Sequence, residues 1–272
     1  MIDTLLDQLA ADPAADVDPA EVAVWLAADE YPHLDLAGYF DRLADLAERA
    51  RPYLRGHLEQ QVEGLCVFLF EEEGFQGNSD EYYDPQNSYL TDVLDRRLGV
   101  PITLSVLAMS VGRRAGLDVV GVGLPGHFIA KAVDGGEEIL FDPFHGGQLL
   151  SPDACEQLIE SVTGRPFTAT PALLAATPPG LIVTRMLNNL RSIYADREDF
   201  ARTARVLRRQ RQLAPDDPTL RRDLGVTLVR SGRPGPAVDH LRAYLAVAAG
   251  APDADDVRLL LKRALTDVAR WN

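Results

Sequence analysis

Three short stretches carry residues whose types and order suit acyl-group chemistry. They are Gly99-Val100-Pro101-Ile102-Thr103, Pro125-Gly126-His127-Phe128 and Phe141-Asp142-Pro143-Phe144-His145-Gly146-Gly147. A nucleophile at a helix N-terminus, a histidine on the next strand and an aspartate ending the following strand would make a Cys–His–Asp site. The helix terminus favours a thiolate and the imidazole serves as base. The carboxylate then orients the ring and fixes its tautomer. His127 and Asp142 fill the last two parts in that order, and the first stretch opens a helix. Asn87 and Tyr89 precede that helix and supply the other wall of the expected cleft. Phe144 and His145 either line the same cleft or shape its loop.

The elements that must position these groups are legible in the pattern. Leu104, Leu107, Ala108, Val111 and Ala115 share one helical face, with Arg113-Arg114 near its end and Gly116 placed to stop it. Extended segments follow at 119–124, 128–133 and 138–141, with Asp134-Gly135-Gly136 as a hairpin signal between the last two. One helix followed by an antiparallel meander is an α+β core. Ahead of it, Asp18-Pro19-Ala20-Glu21 starts a helix, and two apolar stripes follow. Leu36 to Ala47 and Leu54 to Leu69 predict a small helical layer. Gly77 to Ser88 reads as a polar loop, and Glu71-Glu72-Glu73 as a solvated helix end.

Beyond a proline-rich stretch at 168–180 the strand signals vanish and a 34-residue repeat begins. Shifting by that period aligns Leu190 with Leu224, Tyr194 with Leu228, Leu207 with Leu241 and Leu213 with Val247. With Gly225, Ala237 and Pro215 in place, it resembles the tetratricopeptide repeat, although Arg191, Thr203 and Gln210 stand where small residues are usual. Two units plus a last helix over 256–270 are fewer than the three or so repeats that usually stand alone, so this array is expected to dock on the preceding domain. The domains are thus 1–76 (helical layer), 77–167 (α+β core), 168–180 (connector) and 181–272 (helical repeats).

The central segment resembles the transglutaminase-like branch of the papain-like superfamily. Gly99, Arg113, Gly116, His127 and Asp142-Pro143 fall on its usual pattern. With the repeats and the stretch NSYLTDVLDRRLGVPITLSVL included, the chain looks like a bacterial family of degenerate transglutaminase-like proteins. Related regions also occur inside a eukaryotic F-box protein, which implies partner binding. The resemblance implies a papain/transglutaminase-like fold and puts Pro101 at the position of the nucleophilic cysteine. Proline offers neither a nucleophilic atom nor an N–H for an oxyanion hole.

Substitutes for that cysteine are few. Thr103 and Ser105 are hydroxyls in the same helical start, and Thr103 is more simply a cap or first-turn residue. Cys155 has Asp153 and Glu156 beside it, which disfavour a thiolate, and Cys66 lies on an apolar stripe as a small core residue. His127 has two readings, a brace of the sheet bonded to Asp142 or a working imidazole. No compact ligand spacing supports a metal at His127, Asp142 and His145, and no cofactor is called for.

Composition narrows the function further. The chain has 272 residues, 46% of them apolar, 25% charged, and a net charge of −14. The charge is divided: 10 basic against 30 acidic residues through position 184, then 17 against 11. The acidic balance disfavours nucleic acid and anionic membrane as partners. Arg202, Arg205, Arg208, Arg209 and Arg211 form a basic run read as a solvated or docked helix face, with an acidic protein segment as the alternative. Two cysteines cannot build a disulfide framework, and no apolar run reaches the roughly 20 residues of a membrane span, so a soluble cytoplasmic location is expected. The first reading is a non-catalytic protein-interaction or regulatory module with an unidentified protein partner. The alternative is a hydrolase or acyltransferase acting on amides or thioesters through His127–Asp142, with an unconventional nucleophile or water.

Overall fold

The computed structural model describes residues 1–271. The chain forms two compact units: Met1–Ile2 with Pro13–Met186, and Asp3–Asp12 with the chain from Leu187 onward. Helices α1 (Ile2–Ala11), α2 (Pro19–Ala27), α3 (Leu36–Ala50) and α4 (Leu58–Cys66) come first. A π-helical turn over Val67–Glu72 follows, then the short strand β1 (Gln76–Gly77), α5 (Leu90–Arg96), β2 (Leu98–Gly99) and α6 (Pro101–Ala115). The meander is β3 (Val119–Leu124), β4 (His127–Asp134), β5 (Glu137–Asp142) and β6 (Gln148–Leu150). Helices α7 (Pro152–Thr163), α8 (Pro179–Asp196), α9 (Phe200–Leu213), α10 (Pro218–Arg230), α11 (Pro234–Val247) and α12 (Ala254–Trp271) complete the chain.

In the first unit the α+β reading holds. The four long strands form one antiparallel sheet in the order β3-β4-β5-β6, while β1 and β2 pair in parallel. Side-chain alternation gives the sheet two buried faces. Phe128, Ala130, Ala132 and Phe141 pack with Leu43, Leu65 and Leu69 of the helical layer and with Leu107 of α6. Val122, Leu124, Ile129 and Leu140 pack instead with Cys155 and Ile159 of α7 and with Leu174. The hairpin lies where Asp134-Gly135-Gly136 signals it. Gly135 and Gly136 take φ of 54° and 96°, the mirror-image turn geometry that matches strand twist.

Two local expectations change. The stretch 168–180, expected to connect the domains, lies within the first unit and is bonded to the free edge of β3 through Thr177. The Thr177 N–H donates to the Gly121 carbonyl at 2.8 Å, and the Gly123 N–H donates to Thr177 Oγ1 at 2.8 Å. Covering an edge strand in this way removes unpaired backbone groups from solvent. Glu73 is not a solvated helix end, because its nearly buried carboxylate pairs with Arg49 and with Arg97.

The second unit is all-helical. The repeat pairs Leu190/Leu224, Tyr194/Leu228 and Leu207/Leu241 are buried, whereas Val247, the partner of Leu213, is exposed. A Cβ at Gly225 would come within 2.6 Å of the Leu241 side chain, so only glycine allows α10 and α11 to approach this closely. Helix α1, far away in sequence, belongs to this unit. Arg209 pairs with Asp3 at 2.6 Å, Gln212 Nε2 donates to Asp7 at 2.9 Å, and Leu6 is fully buried.

The expected consequence is that a fragment of residues 181–272 lacks part of its own packing. By circular dichroism it should be less helical than those residues are in the intact chain and should melt over a broad range. A sharp melt at the intact protein's midpoint would rule out a stabilising role for α1. In the whole chain, Leu6→Ala should cost about 2–4 kcal/mol in urea unfolding, as for other buried leucines.

Candidate functional site

The site follows from sheet register. Ala130 pairs with Phe141, so continuing the ladder sets Asp142 opposite Ile129, two residues from His127 on the same face. Diagonal neighbours of this kind lie within side-chain reach. His127 Nε2 is 2.8 Å from Asp142 Oδ2, and both residues are buried. The next turn folds back on the same carboxylate. The Phe144 N–H donates to Oδ1 at 2.9 Å, and His145 Nδ1 lies 2.7 Å from Oδ2. The two imidazoles stack at 5.8 Å between centroids, with Phe144 edge-on to both. Tyr82 extends this aromatic row through Phe144 at 6.0 Å.

A carboxylate has only acceptors, so each histidine meets it as an N–H donor. Burial acts to raise the Asp142 pKa, but the hydrogen bonds and charge of His127 and His145 outweigh it and hold the carboxyl below the usual aspartate value. The Asp–His pair fixes the tautomer of His127 and, among the described residues, leaves Nδ1 without a hydrogen bond. The chemistry open to that nitrogen is proton acceptance.

The remaining sequence-derived candidates are placed as follows. Pro101 is buried as the first residue of α6, and α6 packs beside the Pro143–His145 turn. The Thr103 hydroxyl donates to the Asn87 carbonyl at 2.8 Å, and the Ser105 hydroxyl lies 3.4 Å from the Phe128 carbonyl. Asn87 is fully buried; its amide donates to the Glu81 carbonyl at 2.7 Å and its Oδ1 accepts from Asn78 at 3.1 Å. It therefore shapes the 78–88 loop instead of offering a free amide to a cleft. Tyr89 packs its ring against Tyr31. Cys66 sits under the turn, where a Cβ on Gly147 would collide with its sulfur. Burial, with Glu63 adding, pushes the Cys66 thiol up to about 12; burial, with the charge of Asp142 adding, pushes Cys155 up to about 11.

Arg185 is the residue that sequence reading missed. It projects from α8 to donate to the carbonyls of Leu124 at 2.9 Å and His127 at 2.6 Å, with its guanidinium over the Phe128 ring. It thereby clamps the β3–β4 turn that carries His127. Its one sequence signal is a lone cation in the apolar run Leu181-Ile182-Val183-Thr184-Arg185-Met186-Leu187.

In space, three donors of metal-ligand type do converge: His127, Asp142 and His145 lie within 4.8 Å of one another. Two ligands on one tetrahedral zinc stand about 3.3 Å apart, given bonds near 2.0 Å. Both nitrogens are closer than that to Asp142 Oδ2, at hydrogen-bond distance. The distances are those of a hydrogen-bonded cluster. A groove of about 780 Å³ lined by Lys131, Ile139, Leu149 and Leu174 includes neither His127 nor Asp142.

Comparison with known proteins accounts for most of the chain. Residues 37–188 match the family model described as transglutaminase-like superfamily, and residues 190–262 match a tetratricopeptide repeat model. A UPF0162 protein of Xylella fastidiosa is 36% identical over 246 residues, spanning 87% of this chain and 86% of that one. UPF0162 protein PA3419 of Pseudomonas aeruginosa is 32% identical over 192 residues, 70% of this chain and 68% of that one. F-box only protein 21 of Homo sapiens is 31% identical over 157 residues, which is 55% of this chain but 24% of the human one. No solved structure matches.

Asp142→Asn should destabilise the protein by roughly 2–4 kcal/mol at pH 7, because it removes the buried charge to which buried His127 and the more exposed His145 both donate. The folded pKa of Asp142 lies below its unfolded value of about 3.9, so the unfolded chain binds the extra proton. Its contribution is complete above that value and is lost as the pH falls through the folded pKa. Urea titrations should therefore show the gap between wild type and variant full at pH 7 and shrinking below about pH 4. Equal stability at pH 7 would overturn this account.

Proposed function

We propose, from the premise that this chain belongs to the transglutaminase-like superfamily and carries a tetratricopeptide repeat region, that it works as a non-catalytic protein-interaction module. The observation that carries the reading is Pro101. It occupies the start of α6, the element that packs beside the His145 turn, and it brings no nucleophilic atom. Losing the nucleophile of such a site removes orders of magnitude of rate.

The surroundings support the same reading. Thr103 and Ser105 direct their hydroxyls at backbone carbonyls, and both thiols are held protonated at neutral pH. His127 is 4% exposed and Asp142 1%, which suits a brace between strands better than a group awaiting substrate. Tetratricopeptide repeats bind proteins in general, so the partner proposed here is a protein. The second reading, a hydrolase or acyltransferase for amides or thioesters, is favoured by one feature: His127 keeps its Asp142 partner and an unbonded Nδ1 able to activate water.

Turnover separates the two. The purified chain, tested on fluorogenic amide and thioester substrates and in an amine-incorporation assay, should give rates equal to those of His127→Ala. Sustained turnover that His127→Ala abolishes, and that Cys66→Ala and Cys155→Ala leave intact, would establish the enzyme reading instead. Iodoacetamide should label neither native cysteine at pH 7 until the protein is unfolded. Pro101→Cys should create a labelled thiol, and adding His127→Ala should slow its reaction by about tenfold, since a neighbouring histidine stabilises a thiolate.

A further inference from the structure

The second unit sorts its charges. Several of its arginines are paired: Arg191 with Asp223, Arg222 with Asp223 and Asp253, Arg202 with Asp199, Arg209 with Asp3 and Arg258 with Asp255. Among the described residues, Arg208 and Arg211 on α9, Arg221 on α10 and Arg233 at the start of α11 have no carboxylate in ion-pair range. Helices α9, α10 and α11, which carry these groups, pack in succession. Arg208 lies in the field of Arg233 and Arg205, Arg211 in that of Arg221, and His240 on α11 in those of Arg211, Arg221 and Arg208. Burial and the three arginines outweigh the opposing charge of Asp239 and hold that imidazole below its usual value.

The group is both open and under-satisfied. Arg208 and Arg233 are exposed, while Arg211, Arg221 and His240 are half-buried. Arg211 Nε is buried with no hydrogen-bond partner. Guanidinium groups are rigid forks that match carboxylates two bonds at a time, and a group of them without counter-charge repels itself. An anion brought here relieves that repulsion and supplies the missing acceptors.

We propose that Arg208, Arg211, Arg221 and Arg233 form a docking site for an acidic peptide segment, with Arg211 and Arg221 at its centre and Arg208 and Arg233 at its rim. This deepens, and rests on, the interaction-module reading of the repeat region. Several carboxylates spaced along an extended peptide suit cations presented by three successive helices. Single-stranded nucleic acid suits them less. It needs aromatic faces for its bases, and the nearby rings are occupied, Tyr244 by Arg222 and Phe200 by Arg230. A long polyanion also meets a chain of net charge −14, whereas a short peptide samples the local field within a screening length of about 8 Å.

The test is fluorescence anisotropy of a labelled octaglutamate peptide with the full chain at low salt, alongside an eight-nucleotide oligothymidylate. Octaglutamate should bind, weaken as salt rises, and bind more tightly than the oligothymidylate. Arg211→Gln with Arg221→Gln should weaken it by about tenfold or more, as expected for two charge-assisted contacts. Arg258→Gln with Arg263→Gln removes the same net charge from α12 and should change affinity by less than about twofold. Arg208→Gln with Arg233→Gln, both at exposed positions, repeats the experiment should the central pair unfold the repeat. No octaglutamate binding, equal losses from the α12 pair, or tighter oligothymidylate binding would each overturn the site. None of these would alter the turnover result, and turnover would overturn the non-catalytic reading without moving the anisotropy.

Discussion

The buried carboxylate of Asp142 is the constraint around which the first unit is arranged. An ionised carboxylate removed from water costs several kcal/mol unless donors replace the lost hydration. Here three donors do so: one N–H from His127 on the neighbouring strand, one from His145 and one from the Phe144 backbone. Each depends on something remote. His127 is in reach only because β4 and β5 pair in the register that the Gly135-Gly136 turn imposes. His145 is in reach only because the chain turns sharply after Pro143 and passes over Cys66. The position of β4 itself is secured by Arg185, which holds the carbonyls on either side of the preceding turn.

On the non-catalytic reading proposed above, that arrangement explains how a catalytic-looking pair can persist beside Pro101. An Asp–His pair that fixes a tautomer for proton transfer is, by the same bonds, a cross-strand tie in a sheet. Stability alone is sufficient reason for the geometry. The groups that would have to change for chemistry are engaged elsewhere, with hydroxyls on backbone carbonyls and thiols held protonated by burial.

The repeat unit shows the same economy in its departures from the expected pattern. Arg191, where a small residue is usual, reaches Asp223 on α10 and ties one repeat to the next. Gln210 is buried but donates to Asn188, and Thr203 donates to the carbonyl of Asp199 one turn back. Acidic side chains are spent on these ties and on helix caps, such as Asp199 and Asp217. The proposed peptide site draws on arginines that these ties leave over.

Periodicity and turn chemistry, both local, were enough to read much of this protein from its residues. The α6 face, the Gly135-Gly136 hairpin and the 34-residue helical repeat follow from spacing alone. So does the adjacency of His127 and Asp142, because a two-residue turn leaves few possible registers. Pro101 could be read as a helix start for the same reason. What tertiary structure decided is everything that depends on contacts between distant segments. Helix α1 joins the repeats, Thr177 bonds to the edge of β3, and the nearly buried Glu73 carboxylate lies between two arginines. Asn87 and Tyr89 are drawn into loop and core contacts, while Tyr82 and Arg185 stand where sequence proximity to the site could not have put them. Nor could spacing show which arginines find a carboxylate. Pairing is a matter of a few ångströms between helices, and the sequence carries only the order of the charges along each one.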